Sequence, residues 1–412
     1  MNRTSTRRSF LQSALGSSAV ISLGATAPAV FQQAMAADNK AKETVLVVVQ
    51  LSGGNDGLNT VIPFDDPVYQ KDRPKLAIPS TDVLSLEDGL GFHPSARGLA
   101  NLLEDDQLAI VQGIGYPNPN HSHFESMDIW HTCQRKRKGN PRTTGWLGRY
   151  LDGVSSATGG DPSAIHLGAK KQPLALAADT TRVPSIRSLE RFRLQDSGDG
   201  DVRSVASNLV QVERDKEDPL LSFIQTSTTA ALDASQRVEE ARRDYQTPVE
   251  YPDHDLATKL RTVAQLIDAG LKTRVYYLQL DGFDTHSQQA AAHAVLLGRL
   301  GGAVEAFIKD VGHHGHGERV LVMAFSEFGR RVKENASEGT DHGAAAPLFL
   351  AGSKVRAGLH GQPASLTDLQ DGDVKFHTDF RRVYATVLEN WLGVPSQALL
   401  GAEHKPLEIL SV

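Results

Sequence analysis

The chain has 412 residues, of which 40% are hydrophobic and 22% charged, and its 43 basic and 49 acidic residues give a formal net charge of −6. These proportions are typical of a folded protein and exclude a disordered or collagen-like chain. The slight acidity argues against a nucleic-acid-binding protein, which would carry net positive charge. The single cysteine, Cys133, excludes an intrachain disulfide and every cysteine-based metal motif.

The first 36 residues have the pattern of an export signal. The pair Arg7 and Arg8 precedes a weakly apolar stretch rich in Ala, Gly and Ser, and residues 34–36 form a small-x-small cleavage pattern. An amphipathic first helix fits less well, because the first acidic residue is Asp38. We interpret residues 1–36 as a twin-arginine signal read by the export machinery, which predicts a periplasmic or secreted protein.

The mature chain, residues 37–412, is predicted to have no transmembrane segment. No stretch in it approaches the ~18–20 uninterrupted apolar residues that cross a bilayer. Export to an oxidising compartment also predicts that Cys133 is buried, because an exposed thiol there would be oxidised.

Short β-branched runs alternate with amphipathic helical patterns along the mature chain. The runs predict strands at 44–51, 108–114, 274–280, 319–325 and 347–350. Apolar side chains at helical spacing predict helices over 260–271, 304–311 and 380–392. Thr378 is predicted to cap the last of these helices. Buried strands alternating with such helices favour a mostly parallel sheet covered on both faces, a three-layer α/β/α sandwich.

Residues 153–251 differ from the rest of the mature chain. Polar and flexible residues dominate there, including the run QDSGDGD at 195–201, and a helix is predicted over 219–245. We interpret this region as a helical cap inserted into a single domain that spans 37–412. It is not predicted to form a second core.

Acidic and imidazole side chains lie next to the predicted strands. In open α/β sheets, ligands bind beyond the carboxyl ends of the strands, so these segments are expected to meet at one edge. Oxygen and imidazole ligands suit Zn, Ca, Mg or Mn. In chain order, the candidates are Asp56, His121, Ser122, His123, Asp281, Asp284, His286, Glu327, Arg330, Asp341 and His342.

Each of these segments also has a purely structural interpretation. Asp56 in SGGNDG would close a turn, Glu327 would pair with a neighbouring arginine, and Asp341 with His342 would be a solvated loop pair. The sequence contains no P-loop, no G-x-S-x-G nucleophile elbow and no H-E-x-x-H zinc helix. The common position of the candidates at strand boundaries favours one shared metal site.

Several motifs along the mature chain resemble one known family. They are VVVQLSGGNDGLNTVIP, HSHFESMDIWH, LDGFDTHSQQ, AFSEFGRRVKEN, GTDHG and TDFRRVYATVLENWLG. Together with the twin-arginine leader they resemble the proteins grouped as domain of unknown function 1501, a family placed with the alkaline phosphatase and sulfatase superfamily. The resemblance implies an alkaline-phosphatase-like sandwich with metal ligands at its strand ends.

The resemblance also implies metal-binding roles for individual residues. The implied ligands are Asp56 on the first strand, Asp281 or Asp284 paired with His286, and His342 as the last metal histidine. Ser326-Glu327 stands where the superfamily has Asp-His, so this sequence departs from the pattern at that point. Asp56, Asp281, Asp284, His286, Glu327, Asp341 and His342 are the predicted metal ligands.

The leading hypothesis is a metal-dependent hydrolase of a small phosphate or sulfate ester. Ser122, or alternatively Thr60, lies nearest to the nucleophile region of the superfamily, and a water molecule is a further alternative. His121 or His123 would bind or protonate the substrate, and Arg330 would neutralise its charge. The alternative is a non-catalytic exported protein that uses the same edge to bind a ligand or another protein.

Overall fold

The computed structural model describes residues 44–135, 142–154, 161–168, 171–186 and 245–411. The predicted export signal and residues 219–244 of the helix predicted over 219–245 lie outside these residues, and Tyr245 is not helical. Strands β1 to β16 are, in chain order, Val45–Ser52, Val61–Ile62, Leu84–Ser85, Gly91–Phe92, Leu108–Gly115, Ala164–Leu167, Ser185–Ile186, Val275–Asp281, Val320–Ser326, Arg330–Glu334, Thr340–His342, Ala346–Ala351, Gly358–His360, Leu369–Gln370, Asp373–Val374 and Thr378–Asp379. Helices α1 to α8 are Pro67–Asp72, Arg97–Glu104, His123–Thr132, Trp146–Gly153, Asp255–Asp268, Gln289–His313, Phe380–Thr386 and Gln397–Leu400, and a π-helical turn, Val387–Trp391, continues α7.

The main sheet has nine strands among the described residues, in the order β13-β5-β12-β9-β1-β8-β6-β7, with β16 also paired to β5. All adjacent pairs are parallel except those of β12, which runs antiparallel to both β5 and β9. Each of the five predicted strands is confirmed to within one residue at either end. Since β12 is antiparallel, the segment before it lies at the edge where the parallel strands end.

Both faces of the sheet are buried, and alternate residues of β1 contribute to opposite cores. Val45, Val47 and Val49 belong to one apolar cluster, which also contains side chains of α2, α5 and α6. Leu46 and Val48 face a second cluster, built with side chains of α3, α4 and α7. Successive strand side chains point to opposite faces, so a continuous apolar run places helices on both sides. The predicted three-layer α/β/α sandwich is confirmed.

The structure differs from the sequence-based expectation in two details. Ala164–Leu167 and Ser185–Ile186, which lie in the predicted cap, add two strands to the edge of the main sheet. These two strands are too short to show a recognisable hydrophobic pattern in the sequence. Thr378 lies in β16, and the neighbouring Asp379 caps α7 instead, because its carboxylate accepts a hydrogen bond from the backbone nitrogen of Arg381 at 3.0 Å.

The prediction that Cys133 is buried is confirmed, and burial raises the pKa of its thiol to about 12.

Helix α6 is the one described helix that is long and apolar enough to cross a membrane by length and composition alone. Its most apolar window has a mean hydropathy of 1.3, and 56% of that window is buried inside the fold. Leu297, Leu300, Val304 and Phe307 of this helix pack in the core on one side of the sheet. The apolar character of α6 is therefore accounted for by packing against the sheet.

Candidate metal centre

Four of the predicted residues come together beyond the ends of the strands. His123 begins α3, Asp284 and His286 lie in the loop between β8 and α6, and His342 ends β11. We call His123, Asp284, His286 and His342 the His/Asp cluster. Three separate segments of the chain supply it, so the cluster exists only in the folded protein.

One oxygen atom is the centre of the His/Asp cluster. The Oδ1 atom of Asp284 lies 3.3 Å from Nε2 of His123, 3.1 Å from Nε2 of His286 and 3.2 Å from Nε2 of His342. The Nε2 atoms of His286 and His342 are 2.9 Å apart. Among the described residues, His123, Asp284 and His342 form a group whose ligand atoms all lie within 4.8 Å of one another.

The outer nitrogen of each ring faces an acceptor. Nδ1 of His123 donates to Oε1 of Glu327 at 2.8 Å, and Nδ1 of His342 donates to the carbonyl oxygen of His121 at 2.7 Å. Nδ1 of His286 lies 3.4 Å from Oδ1 of Asp341. A carbonyl or carboxylate oxygen selects the tautomer with its proton on Nδ1, which leaves the Nε2 lone pair pointing into the cluster.

These groups fit a cation. Three imidazole lone pairs and a carboxylate point at one another, and two ring nitrogens at 2.9 Å cannot both carry a proton. Nε2 of His123 is buried and makes no hydrogen bond to any part of the chain that the structure describes. Nitrogen and oxygen ligands 2.0–2.1 Å from a tetrahedral Zn²⁺ lie about 3.3 Å from one another, close to the observed Nε2–Oδ1 distances. The cluster therefore has the ligand types and the spacing of a metal site.

The charges in the cluster favour an ionised carboxylate. Burial raises the pKa of Asp284, but the hydrogen bond from Arg330 outweighs it, and that pKa is lowered to about 2. The hydrogen bond to Glu327 raises the pKa of His123, whereas burial lowers the pKa of His342. Asp284 is thus negatively charged at neutral pH and can act as an anionic ligand.

Arg330 supports the cluster from beneath, and the structure does not place it where a substrate could reach it. Its guanidinium is fully buried and donates to Asp284 Oδ1 at 2.8 Å. The same group also donates to the carbonyl oxygens of Gly53, Gly54, Phe283 and Thr340. With its donors directed inward, Arg330 positions Asp284, and the predicted role in neutralising substrate charge does not fit this geometry.

Glu327 and Asp341 lie one layer outside the His/Asp cluster. The Glu327 carboxylate accepts from His123 Nδ1 and, at 2.9 Å, from the backbone nitrogen of Gly53. A Cβ atom at Gly53 would come within 2.3 Å of the Asp284 backbone nitrogen, so this close approach requires glycine. Carboxylates that hold the outer nitrogen of a metal-binding histidine orient the ring and raise its basicity. We therefore assign Glu327 and Asp341, predicted as ligands, to the support of His123 and His286.

Asp56 has a different set of partners. Its Oδ2 accepts from Arg73 Nη1 at 2.6 Å and from the side-chain amide of Gln289, and its Oδ1 accepts from the backbone nitrogen of Asn59 at 3.3 Å. The carboxylate and the guanidinium of this ion pair are both inaccessible to solvent. Burial raises the pKa of Asp56, but the Arg73 guanidinium outweighs burial and keeps that pKa below its usual value. Arg73 supplies the positive charge that the sequence analysis assigned to a metal.

The other predicted residues surround the cluster or lie apart from it. Asp281 ends β8 in register with Ser52 and is exposed, outside the group that could hold a metal. Ser122 is exposed and directly precedes α3. Nε2 of His121 lies 2.7 Å from Oδ2 of Asp373, and His121 is not part of the described group that could hold a metal. Thr60 is fully buried and donates to the carbonyl oxygen of Asp56 at 2.7 Å, so it is not accessible as a nucleophile.

Sequence analysis missed three residues that build this region: Arg73, Gln289 and Asp373. Gln289 and Asp373 lie 233 and 252 residues from their partners, and Arg73 lies 17 residues from Asp56. Gln289 ends the motif LDGFDTHSQQ, but the motif does not show what its side chain contacts. A basic residue near the buried Asp56 was needed to balance its charge, but the sequence offered no way to choose Arg73 among the other basic residues.

The fold and the cluster together define an α/β/α sandwich with a candidate metal centre at the carboxyl edge of a mostly parallel sheet. Residues 43–409 match the family described as "Protein of unknown function (DUF1501)". The chain belongs to this family, as its motifs predicted. No curated protein matches the chain.

Several solved structures resemble the chain remotely. The C-terminal periplasmic domain of EcEptC from Escherichia coli, in complex with Zn, is 10% identical with a TM-score of 0.37, over 76% of this chain and 73% of that one. A protein in the alkaline phosphatase superfamily from Vibrio parahaemolyticus is 8% identical with a TM-score of 0.41, over 89% and 70%. The PsFucS1 sulfatase from Pseudoalteromonas sp. is 11% identical with a TM-score of 0.37, over 92% and 74%.

Proposed function

We propose that this protein is an exported, divalent-metal-dependent hydrolase of phosphate or sulfate esters. The observation that carries the proposal is the convergence of the Nε2 atoms of His123, His286 and His342 on Asp284 Oδ1, at 3.1–3.3 Å. Zn is the metal that this donor set favours, since it combines imidazole and carboxylate ligands. When bound, such a metal polarises an ester oxygen and stabilises the charge that develops on it.

The exposure of the cluster suits a substrate that enters from solvent. The side chains of Asp284 and His286 are 48% and 43% exposed, whereas Arg330 beneath them is fully buried. The rings of His123 and His342 pack against Phe328, with centroids 4.9 Å and 4.7 Å from its ring. The ligands are thus held on one side by an aromatic ring and an arginine and are open on the other.

Two half-exposed basic side chains near the cluster support an anionic substrate. Both side chains pair with the buried Asp373: His121 Nε2 lies 2.7 Å from its Oδ2, and Arg331 Nε lies 3.4 Å from its Oδ1. The side chains of His121 and Arg331 are each 42% exposed. The carbonyl of His121 contacts His342, which places this pair beside the cluster. Arg331 therefore replaces Arg330 as the arginine that we expect to face a charged substrate. Ser122, exposed and adjacent to His123, remains our candidate nucleophile, with water as the alternative.

The test combines metal analysis with turnover. The full chain is exported, purified without chelator and assayed for bound metal, then for hydrolysis of aryl phosphate and aryl sulfate esters. We expect about one metal per chain, turnover of at least one ester class, and loss of turnover on chelation that Zn²⁺ restores. Ser122→Ala should reduce kcat if Ser122 is the nucleophile and leave it nearly unchanged if water is. Metal binding without hydrolysis of either ester class would contradict the enzyme proposal.

A second candidate function is that of a non-catalytic protein stabilised by the metal. The specific observation in its favour is that His286 lies beside the group formed by His123, Asp284 and His342 and would supply a fourth ligand on closing in, and closed four-ligand sites are typical of structural metals. In that case metal would raise the melting temperature, because a ligand that binds only the folded state adds to its stability, and turnover would be absent.

Export is tested separately. We propose that Arg7 and Arg8 form the twin-arginine signal, which is read by its receptor and is not an anchor. Replacing both with lysine should leave the precursor in the cytoplasm, since an ammonium group cannot reproduce the hydrogen-bonding fork of a guanidinium. Fractionation followed by immunoblotting measures this outcome. Normal amounts of the Arg7→Lys/Arg8→Lys protein in the periplasm would show that the signal is of another kind.

A further inference from the structure

Gln289 is a buried glutamine that contacts both segments carrying the metal ligands. It is the first residue of α6 and is fully buried. Its Oε1 accepts from the Thr285 hydroxyl at 2.9 Å and from the Thr340 hydroxyl at 2.6 Å. Its Nε2 donates to Oδ2 of Asp56. One amide group thus makes hydrogen bonds to three different parts of the chain.

The two threonines are close to the ligands in sequence. Thr285 lies between Asp284 and His286, and Thr340 lies two residues before His342. The backbone nitrogen of Thr340 donates to the carbonyl oxygen of Thr285 at 3.2 Å, so the two segments also pair directly. The carbonyl of Thr340 accepts from Arg330, the arginine that holds Asp284. The Gln289 amide therefore adds a side-chain bridge to the direct backbone pairing of the two segments.

Asp56 determines which way this amide points. An ionised carboxylate can only accept hydrogen bonds, so the amide must turn its NH₂ group to Asp56 and its oxygen to the threonines. The Arg73 guanidinium, 2.6 Å from Asp56, keeps the carboxylate charged although it is fully buried. Both hydroxyls can then donate to a single oxygen, which a reversed amide would not allow.

We infer that Gln289 is a positioning residue for the metal centre, and that Asp56 acts on that centre through Gln289 and not as a ligand. The inference rests on the proposed metal site, because the positions of Asp284, His286 and His342 are what Gln289 controls. Partners outside the ligand layer typically change metal affinity by about 10–100-fold when they are removed. We expect an effect at the lower end, about tenfold, because Gln289 acts through neighbouring residues.

The test compares Gln289→Met with Gln265→Met. Methionine is close to glutamine in size but makes no comparable hydrogen bonds, and Gln265 is a buried glutamine on α5, away from the ligand segments. Co²⁺ is titrated into each metal-free protein while its visible absorption spectrum is recorded. We expect Gln289→Met to weaken Co²⁺ binding about tenfold and to change the spectrum, which reports the coordination geometry. Gln265→Met should leave both unchanged, even if it lowers the melting temperature equally.

A second, more conservative variant tests the same inference in case Gln289→Met does not fold. Thr340→Val keeps the shape of a fully buried side chain and removes one of the two hydroxyl donors. It should weaken Co²⁺ binding in the same direction, whereas Thr262→Val, a buried threonine on α5, should not. Co²⁺ affinity and spectrum equal to those of the parent in both Gln289→Met and Thr340→Val would overturn the inference while leaving the metal centre in place.

Hydrogen–deuterium exchange separates this inference from the proposed function. In the metal-free protein, Gln289→Met should speed exchange of backbone amides in residues 283–289 and 339–343, because the amide bridge between these segments is lost. Gln265→Met should not. If the parent binds no divalent metal but exchange still quickens at both segments, the proposed function fails, and Gln289 bridges the two segments without serving a metal centre. Unchanged exchange at both segments would contradict the positioning role.

Discussion

Replacing Arg73 with methionine is expected to lower the free energy of unfolding by about 3–5 kcal/mol, because it leaves a buried carboxylate without its partner. Asp56 and Arg73 are both inaccessible to solvent and 2.6 Å apart. Arg73 also donates to the carbonyl oxygens of Arg331 and Val332 at 2.8 Å, so these acceptors lose their donor as well. Urea denaturation monitored by circular dichroism measures the change.

The control removes both charges. The double variant Arg73→Met/Asp56→Asn should regain part of the lost stability, since a neutral amide is less costly to bury than an unpaired carboxylate.

The stability lost in the single variant Arg73→Met should also become smaller as the pH is lowered. Without Arg73, burial raises the pKa of Asp56 above its unfolded value, so the folded state gains a proton first and is stabilised by acid. A single variant as stable as the parent at neutral pH would show that the ion pair contributes little.

Replacing Asp284 with asparagine is expected to weaken divalent-metal binding by about 100-fold or more, above the range seen for partners outside the ligand layer. Asparagine keeps the size of the side chain and an oxygen that can accept from Arg330, so the fold should be retained. It removes the negative charge that lies 3.1–3.3 Å from three ring nitrogens. Isothermal titration of the metal-free protein with Zn²⁺ measures the affinity.

Asp281→Asn is the matched control for this variant. Asp281 lies three residues earlier, at the end of β8, and is also exposed, but it is outside the group that could hold a metal. Its substitution should leave the Zn²⁺ affinity close to that of the parent. If Asp281→Asn lost the metal and Asp284→Asn kept it, the alternative pairing of Asp281 with His286 would be correct and the proposed centre wrong.

The sequence predicted which types of side chain would meet at the strand ends better than it predicted how each one is arranged. Acidic and imidazole side chains at strand ends were predicted to meet, and His123, Asp284, His286 and His342 do meet. Their division into ligands and supports could not be predicted, because it depends on which oxygen faces Nδ1 and which faces Nε2 of each ring. Glu327 holds the outer nitrogen of His123, a relation that spans 204 residues of the chain. No local pattern encodes such a contact.

Asp56 illustrates the limit of reasoning from a motif. Its place after the first strand is correct, but its function depends on what lies beside its carboxylate in the folded chain. The structure puts Arg73 and Gln289 there, 17 and 233 residues away in sequence, and a guanidinium stands next to the carboxylate where a metal was expected.

The sequence by itself determined the layered fold, the strands and the family. Continuous β-branched runs and amphipathic helices carry this information locally, since each run shows which of its faces are buried. Only the tertiary structure decided that β12 runs antiparallel, which brings His342 to the edge where β8 and β9 end. It also decided that Arg330 turns inward and that the Gln289 amide contacts both Thr285 and Thr340. Strand direction and side-chain partnership depend on contacts between distant residues, and composition and spacing do not record those contacts.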